Sequence, residues 1–342
     1  MHASVIWFAL TLCADAPVVA TVESTMPTAG PQIRHYALDG KLETYFASKD
    51  AAKAGDTFTV RLDRPVMATA ISASTGLDGG KDRLDAGDLE VSADGTTFEK
   101  VAGFADSSWR FETSPRAVMA LRMKLTADLG HPLAIREIAI QSVPPVPAFA
   151  HPVEFEVDTA DDPSLAPWAL ATARECERYF PAIVDMLDAE GFVPPTQVKL
   201  TLSASYQGVA AAGGGRITGS TKYFKDHPGD VGAMIHETVH IVQRYRGRGN
   251  PSWLVEGVAD YIRFFRYEPG KAGRVNPKTA NYDASYRTSA AFLDYLSRTY
   301  DAKLVRKLNA AMRAGKYREE LFQELAGKPL AELGEEWKGT LK

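Results

Sequence analysis

Residues 236–240 read His236-Glu237-Thr238-Val239-His240, and residues 256–260 read Glu256-Gly257-Val258-Ala259-Asp260. On an α-helix, side chains four residues apart stand one turn above each other on one face, so His236 and His240 would offer two imidazole nitrogens to a single ion. Glu237 sits about 100° further round the helix, poorly placed as a ligand but within reach of a water beside that ion. Hydrolytic zinc takes three protein ligands and keeps a fourth position for water, and two His with one Glu is an established set; Glu256 can complete it. Asp260 follows Glu256 by four residues, so it shares that helical face and can accept the free N–H of a histidine, fixing its tautomer. These residue types at this spacing predict a zinc metallopeptidase with His236, His240 and Glu256 on the metal and Glu237 as general base. The bland alternative is an amphipathic core helix, for which Met234, Ile235, Val239, Ile241 and Val242 supply the apolar surface.

The wider context is more specific than the pentapeptide. The stretches His236-Glu-Thr-Val-His-Ile-Val-Gln243, Pro251-Ser-Trp-Leu-Val-Glu-Gly-Val-Ala-Asp-Tyr-Ile-Arg263 and Tyr286-Arg-Thr-Ser-Ala-Ala-Phe-Leu-Asp-Tyr295 resemble the basic secretory protein family of plants and microbes, a gluzincin-type group of zinc peptidases. The resemblance covers the C-terminal half and implies the same three ligands with Glu237 catalytic. By analogy with other gluzincins, where a later Tyr or His stabilises the oxyanion, Tyr286 is the leading candidate for that role, with Tyr261 and Tyr282 as rivals. A glycoprotein- or mucin-directed gluzincin stays open, as does a non-catalytic glycan-binding adhesion protein with structural zinc. No GxMEN-type exopeptidase motif precedes the helix, which favours an endopeptidase acting on a peptide or glycoprotein.

At 342 residues, the chain exceeds what one core usually serves, so two domains are expected. With 43 acidic against 39 basic residues, it is mildly acidic despite the name of the family it resembles, and nothing electrostatic favours nucleic acid or an anionic membrane as partner. Beyond the N-terminus no apolar stretch is long enough to span a membrane. Residues 4–13, SVIWFALTLC, read as the apolar part of a signal peptide over 1–20, with Val18-Val19-Ala20 before the cut; a secreted or periplasmic protein follows. The competing reading is a buried first strand. Cleavage would leave Cys176 alone, read as a packed thiol in a helix over 165–187.

Four prolines among residues 143–152 mark a connector between domains at 22–142 and 153–342. Before it, β-type runs at 57–62, 68–73, 88–92, 117–124 and 135–140 are separated by turn signals, as in a β-sandwich. The residues Leu38-Asp-Gly-Lys-Leu-Glu-Thr-Tyr-Phe46, Asp88-Leu-Glu-Val-Ser-Ala-Asp-Gly-Thr-Thr-Phe98 and Ile135-Arg-Glu-Ile-Ala-Ile140 resemble the discoidin or coagulation-factor type C family of jelly-roll modules. That resemblance implies calcium near Asp39, Thr44 and Glu137, where the alternative is a plain turn and a solvated strand residue. It also implies a glycan ligand, with Trp109, Arg110 and Phe111 as a sugar platform or, equally, core packing. After the connector, a strand at 197–202 and the turn Gly213-Gly214-Gly215 lead into 216–223, the expected cleft-edge strand, before a helix beginning near Asp230. The expected fold is therefore multidomain, an all-β jelly-roll sandwich followed by an α+β zincin-like metallopeptidase domain.

Overall fold

Alternation of apolar and polar residues dictates most of the N-terminal unit. A computed structural model of the chain describes residues 17–104, 106–245, 249–284 and 286–341, so the apolar run at 4–13 lies outside the described residues. The strands are β1 (Ala20–Ser24), β2 (Phe46–Ala47), β3 (Thr57–Thr75), β4 (Gly87–Ser92), β5 (Glu99–Phe104), β6 (Ser108–Leu125) and β7 (Ala134–Val143), hydrogen-bonded in the order β2-β7-β3-β6-β4-β5 with β1 also on β3. The first half of β3 lies between β1 and β6, and the second half between β7 and β6. Between the halves the register slips, from Arg61 to Val66 and again from Ala68 to Ala70. Irregularities of this kind bend a strand and let it pass from one layer to the other. Phe46, Phe58, Ile71, Leu89, Leu121 and Ile135 fill the space enclosed. This is the expected β-sandwich, with the runs 57–62 and 68–73 belonging to one bent strand instead of two.

Both edges of the sandwich lie further out than residues 22 and 142. Val18 and Ala20 are buried, and the Val19 N–H donates to Asp63 Oδ1 at 3.0 Å, so a cut after Ala20 would take two side chains out of the core. At the other end Val146 and Phe149 pack on the core, and the Phe149 N–H donates to the Leu38 carbonyl at 2.9 Å. The chain divides between Phe149 and Ala150. Proline excludes helix and central strand, but it does not prevent an extended segment from lying across a core.

The second unit is mixed α+β. Strands β8 (Glu154–Asp158), β9 (Gln197–Ser203) and β11 (Arg216–Ser220) are parallel, and β10 (Ala210–Gly213) pairs antiparallel with β11 at the edge of the order β10-β11-β9-β8. Helix α1 (Ala166–Met186) packs on β8, and α2 (Thr221–Asp226) leads to the central helix α3 (Val231–Gln243). Helix α3 starts at Asp230, whose side chain accepts the Ala233 N–H, and stops where Arg244 turns left-handed at φ 40°. Met234, Ile235, Val239 and Val242 are fully buried, the pattern of a helix enclosed by its neighbours. Helix α4 (Ser252–Ile262) runs into a single π turn, Arg263–Tyr267, and α5 (Tyr286–Thr299) lies against it. Gly257 permits that contact, since a Cβ there would stand 2.8 Å from the Ser289 Cβ. Helices α6 (Leu304–Arg313), α7 (Leu321–Ala326) and α8 (Leu330–Thr340) complete the unit, with Phe322 and Trp337 in the shared core.

The expected edge strand at 216–223 is corrected. Residues 216–220 are β11, enclosed between β10 and β9, and residues from Thr221 on are helical; the free edge is β10. Gly214 and Gly215, at φ 59° and 78°, turn a hairpin. Ala210-Ala211-Ala212 carries none of the β-branched or aromatic residues that mark a strand in sequence.

Candidate active site

Helix α3 brings His236 and His240 to the floor of an open cleft of about 1290 Å³, and α4 brings Glu256 opposite them. The His236 and His240 Nε2 atoms are 3.0 Å apart, and each lies 3.2 Å from Glu256 Oε2. Tetrahedral zinc, with bonds of about 2.0–2.1 Å, holds its ligand atoms about 3.3 Å apart, so this triangle of two nitrogens and one oxygen fits such an ion. Each imidazole is oriented from behind. His236 Nδ1 donates to Asp260 Oδ1 at 2.7 Å, and His240 Nδ1 donates to Gln243 Oε1 at 2.7 Å. Gln243 in turn donates from Nε2 to the Val255 carbonyl at 2.9 Å, which ties α3 to α4.

Both Nε2 atoms are therefore left facing Glu256, and the electrostatics follow from that. Burial disfavours the charged form of His236, but bonds to Asp260 and Glu256 outweigh it and hold the imidazole up at about 9. Burial would raise Glu256, yet the two imidazoles pull it down to about 2. Glu237 is buried and raised above the ordinary carboxylate range by that burial, with the charges of His236 and His240 and the Ala212 N–H opposing. Its partner Ala212 is on the edge strand β10, and Glu237 lines the cleft beside the ligand triangle without belonging to it.

The sequence-derived residues separate into those the fold assembles here and those it places elsewhere. Asp260 joins the site by holding His236. Tyr286, 54% exposed, lines the cleft with its ring 6.0 Å from that of His236. Tyr261 is buried with its hydroxyl bonded by Arg266, and Tyr282 packs on Trp253 and Phe292. Neither borders the cleft. Cys176 is a buried free thiol pushed up to about 12 by burial, which fits packing. Two partners escaped the sequence reading. Gln243, three residues after His240, is a residue type with no metal-site signature of its own, and Ala212 acts through its backbone, which no side-chain pattern reveals.

In the sandwich, Thr44 Oγ1 donates to both Asp39 oxygens at 2.9 Å, and the Gly40 N–H donates to Glu137 Oε2 at 3.1 Å. The three predicted residues are therefore neighbours. Burial, with the charge of Asp39 adding, pushes Glu137 up to about 7. The aromatic platform is not assembled. Trp109 stacks on Phe104 at 4.9 Å and packs with Phe111 on the core, while Arg110 is directed to the other face and bonds Glu112 and Gln141.

Two histidines and a glutamate converging in an open cleft, with a further glutamate beside them, make an arrangement suited to hydrolysis. Residues 174–337 match the family model BSP, described as a peptidase of plants and bacteria, and this match supports a peptidase in the C-terminal unit. Among solved structures, the N-terminal part is similar to CBM32-1 from a family 31 glycoside hydrolase of Clostridium perfringens, at 19% identity over 36% of this chain and 93% of that one, TM-score 0.32. It is also similar to the family 32 CBM of C. perfringens NanJ, in complex with galactose, at 17% identity over 35% and 92%, TM-score 0.31. A third similar structure is the C-terminal domain of a chitobiase from Bacteroides fragilis, at 16% identity over 36% and 93%, TM-score 0.32. No match was found among curated proteins. Among the described residues, no helix is long and apolar enough to cross a membrane.

Proposed function

We propose that the C-terminal unit is a zinc-dependent metalloendopeptidase in which His236, His240 and Glu256 hold the ion and Glu237 is the general base. The observation that carries this reading is the 3.0–3.2 Å triangle of His236 Nε2, His240 Nε2 and Glu256 Oε2, with Glu237 left unspent beside it. Zinc there would supply a Lewis acid and make water more acidic. Glu237 takes a proton from the attacking water onto a carboxylate oxygen and passes it to the leaving amine; its upward shift suits that exchange. Asp260 and Gln243 keep the imidazoles in the required tautomer. Tyr286 donates its hydroxyl to the developing oxyanion, and the free edge of β10 pairs with an extended peptide.

Substituting Glu237→Gln keeps the size but removes the base, so turnover should fall at least about 100-fold with metal still bound by elemental analysis. Near-normal turnover would overturn the proposed role, and loss of metal would make Glu237 structural.

Within the same reading the sandwich directs the enzyme to a surface or glycoprotein, and a calcium ion sits among Asp39, Thr44 and Glu137. The apolar run at 4–13 supports export, to the periplasm or the medium. A chain beginning at Ala150 should cleave a small soluble peptide as well as the full chain does, but act less on a surface-attached substrate. Equal activity of both chains on both substrates would leave the sandwich without a targeting role.

A further inference from the structure

Most charges lining the cleft are already paired. Asp260 holds His236, Glu256 faces the two imidazoles, and Arg263 is bonded by Asp230 and, at 2.8 Å, by Glu268. Besides Glu237, the exceptions are Arg287 and Arg244, neither of which has a carboxylate at ion-pair distance among the described residues. They stand at opposite ends of α3, Arg287 near its start with Asp230 and Arg244 as its C-cap. In a chain of net charge -4, an active-site cleft whose uncommitted charges, apart from the proposed base Glu237, are both guanidinium groups does not merely continue the surface average.

Arg287 is the better built of the two. It follows Tyr286 in the first turn of α5, and its guanidinium lies 4.5 Å from the centre of the Phe264 ring, against which Arg263 also packs at 4.4 Å. Stacking on an aromatic face orients a guanidinium without neutralising it, so its N–H groups remain available to a ligand. A planar fork of donors is the group best matched to a carboxylate. The same residue lines an adjoining recess with His227 and Lys271, and Lys271 is itself paired with Glu268 at 2.9 Å.

We infer that the cleft selects substrates carrying a carboxylate near the bond to be cleaved, and that Arg287 is the residue that reads it, with Arg244 adding attraction at the far end. This inference rests on the peptidase reading and names its substrate class. The carboxylate is either an acidic side chain or a free C-terminus.

The experiment measures binding by calorimetry to the full chain carrying Glu237→Gln, so that no turnover is needed. The probes are a neutral, C-terminally amidated peptide, the same peptide with one Glu moved through its positions, and the neutral peptide with a free C-terminus. A carboxylate-bearing peptide should bind about 5-fold tighter than the neutral one, the upper range for an exposed ion pair, and less so at high salt. Adding Arg287→Gln should abolish the difference, and Arg287→Glu should reverse it. A preference in the Glu series assigns an acidic side chain, and one confined to the free terminus assigns the C-terminal carboxylate. Equal binding of all probes, no binding by any, or a preference that survives both Arg287 changes would overturn the inference. Hydrolysis of the same peptides by the unaltered chain separates the two ideas. Turnover without acid preference sinks this inference alone, and acid-selective binding without turnover sinks the peptidase reading alone.

Discussion

Glu137 in the sandwich and Glu256 in the peptidase unit are both half-buried carboxylates, yet one is driven up to about 7 and the other down to about 2. Burial acts with the same sign on both. The nearest charges decide the outcome: Asp39 adds a second negative charge beside Glu137, whereas His236 and His240 give Glu256 two donors. The sandwich cluster thus carries a repulsion that a cation or a proton would relieve. In the peptidase unit opposite charges already meet at His236 and Glu256, and an ion would enter by displacing a proton from His236.

The largest effect that can test this contrast is on metal affinity. Asp260→Asn preserves volume but removes the charge behind His236, and zinc affinity should fall about 10- to 100-fold, read by competition with a chromophoric chelator. Gln243→Ala should act in the same direction through His240. Unchanged affinity in both variants would break the claim that the orienting partners set the character of this site.

A smaller effect is expected at Glu137. Its folded carboxyl titrates near 7 against an ordinary value of 4.5, so between those values the folded state keeps a proton that the unfolded state has lost. Stability of the sandwich should therefore fall as pH rises through that window, by about 1 kcal/mol once solvent screening at a half-exposed site is allowed for. Scanning calorimetry from pH 4 to 8 checks this, and Glu137→Gln should flatten the profile. If calcium sits at this cluster as proposed, it should raise the melting temperature more at pH 8 than at pH 5, because a hard cation takes the ionised form of Glu137. A melting temperature at pH 8 that ignores calcium would remove the cation from this cluster.

The two regions also differ in how much of them could be read in advance. Helix α3 is a local object: its cap at Asp230, its apolar residues and its two histidines lie within one short stretch, so its start and chemistry were legible. Asp260 was legible as an orienting residue, but which histidine it holds depends on how α4 packs against α3. The edge strand was misread because Ala210–Gly213 has almost no side-chain signature, and its identity as an edge is a property of the whole sheet. In the sandwich, alternation revealed 57–62 and 68–73 but not that they are one strand, since a bend appears only where three partners impose it. Trp109 and Phe111 had the composition of a ligand platform; a neighbouring Phe104 and the core claimed them instead.

By itself, the sequence determined the chemistry available to this protein: which donors, at which helical spacing, with which acid beside them, and a sandwich-like half ahead of them. These depend on contacts a few residues apart, where backbone geometry leaves little freedom. Only the tertiary structure decided that two imidazoles and a carboxylate from separate helices close to 3.0–3.2 Å, that β10 borders them, and that Arg287 lines the cleft with no carboxylate at ion-pair distance among the described residues. Those are distances between segments remote in the chain, and packing and the balance of neighbouring charges, not spacing, determine them.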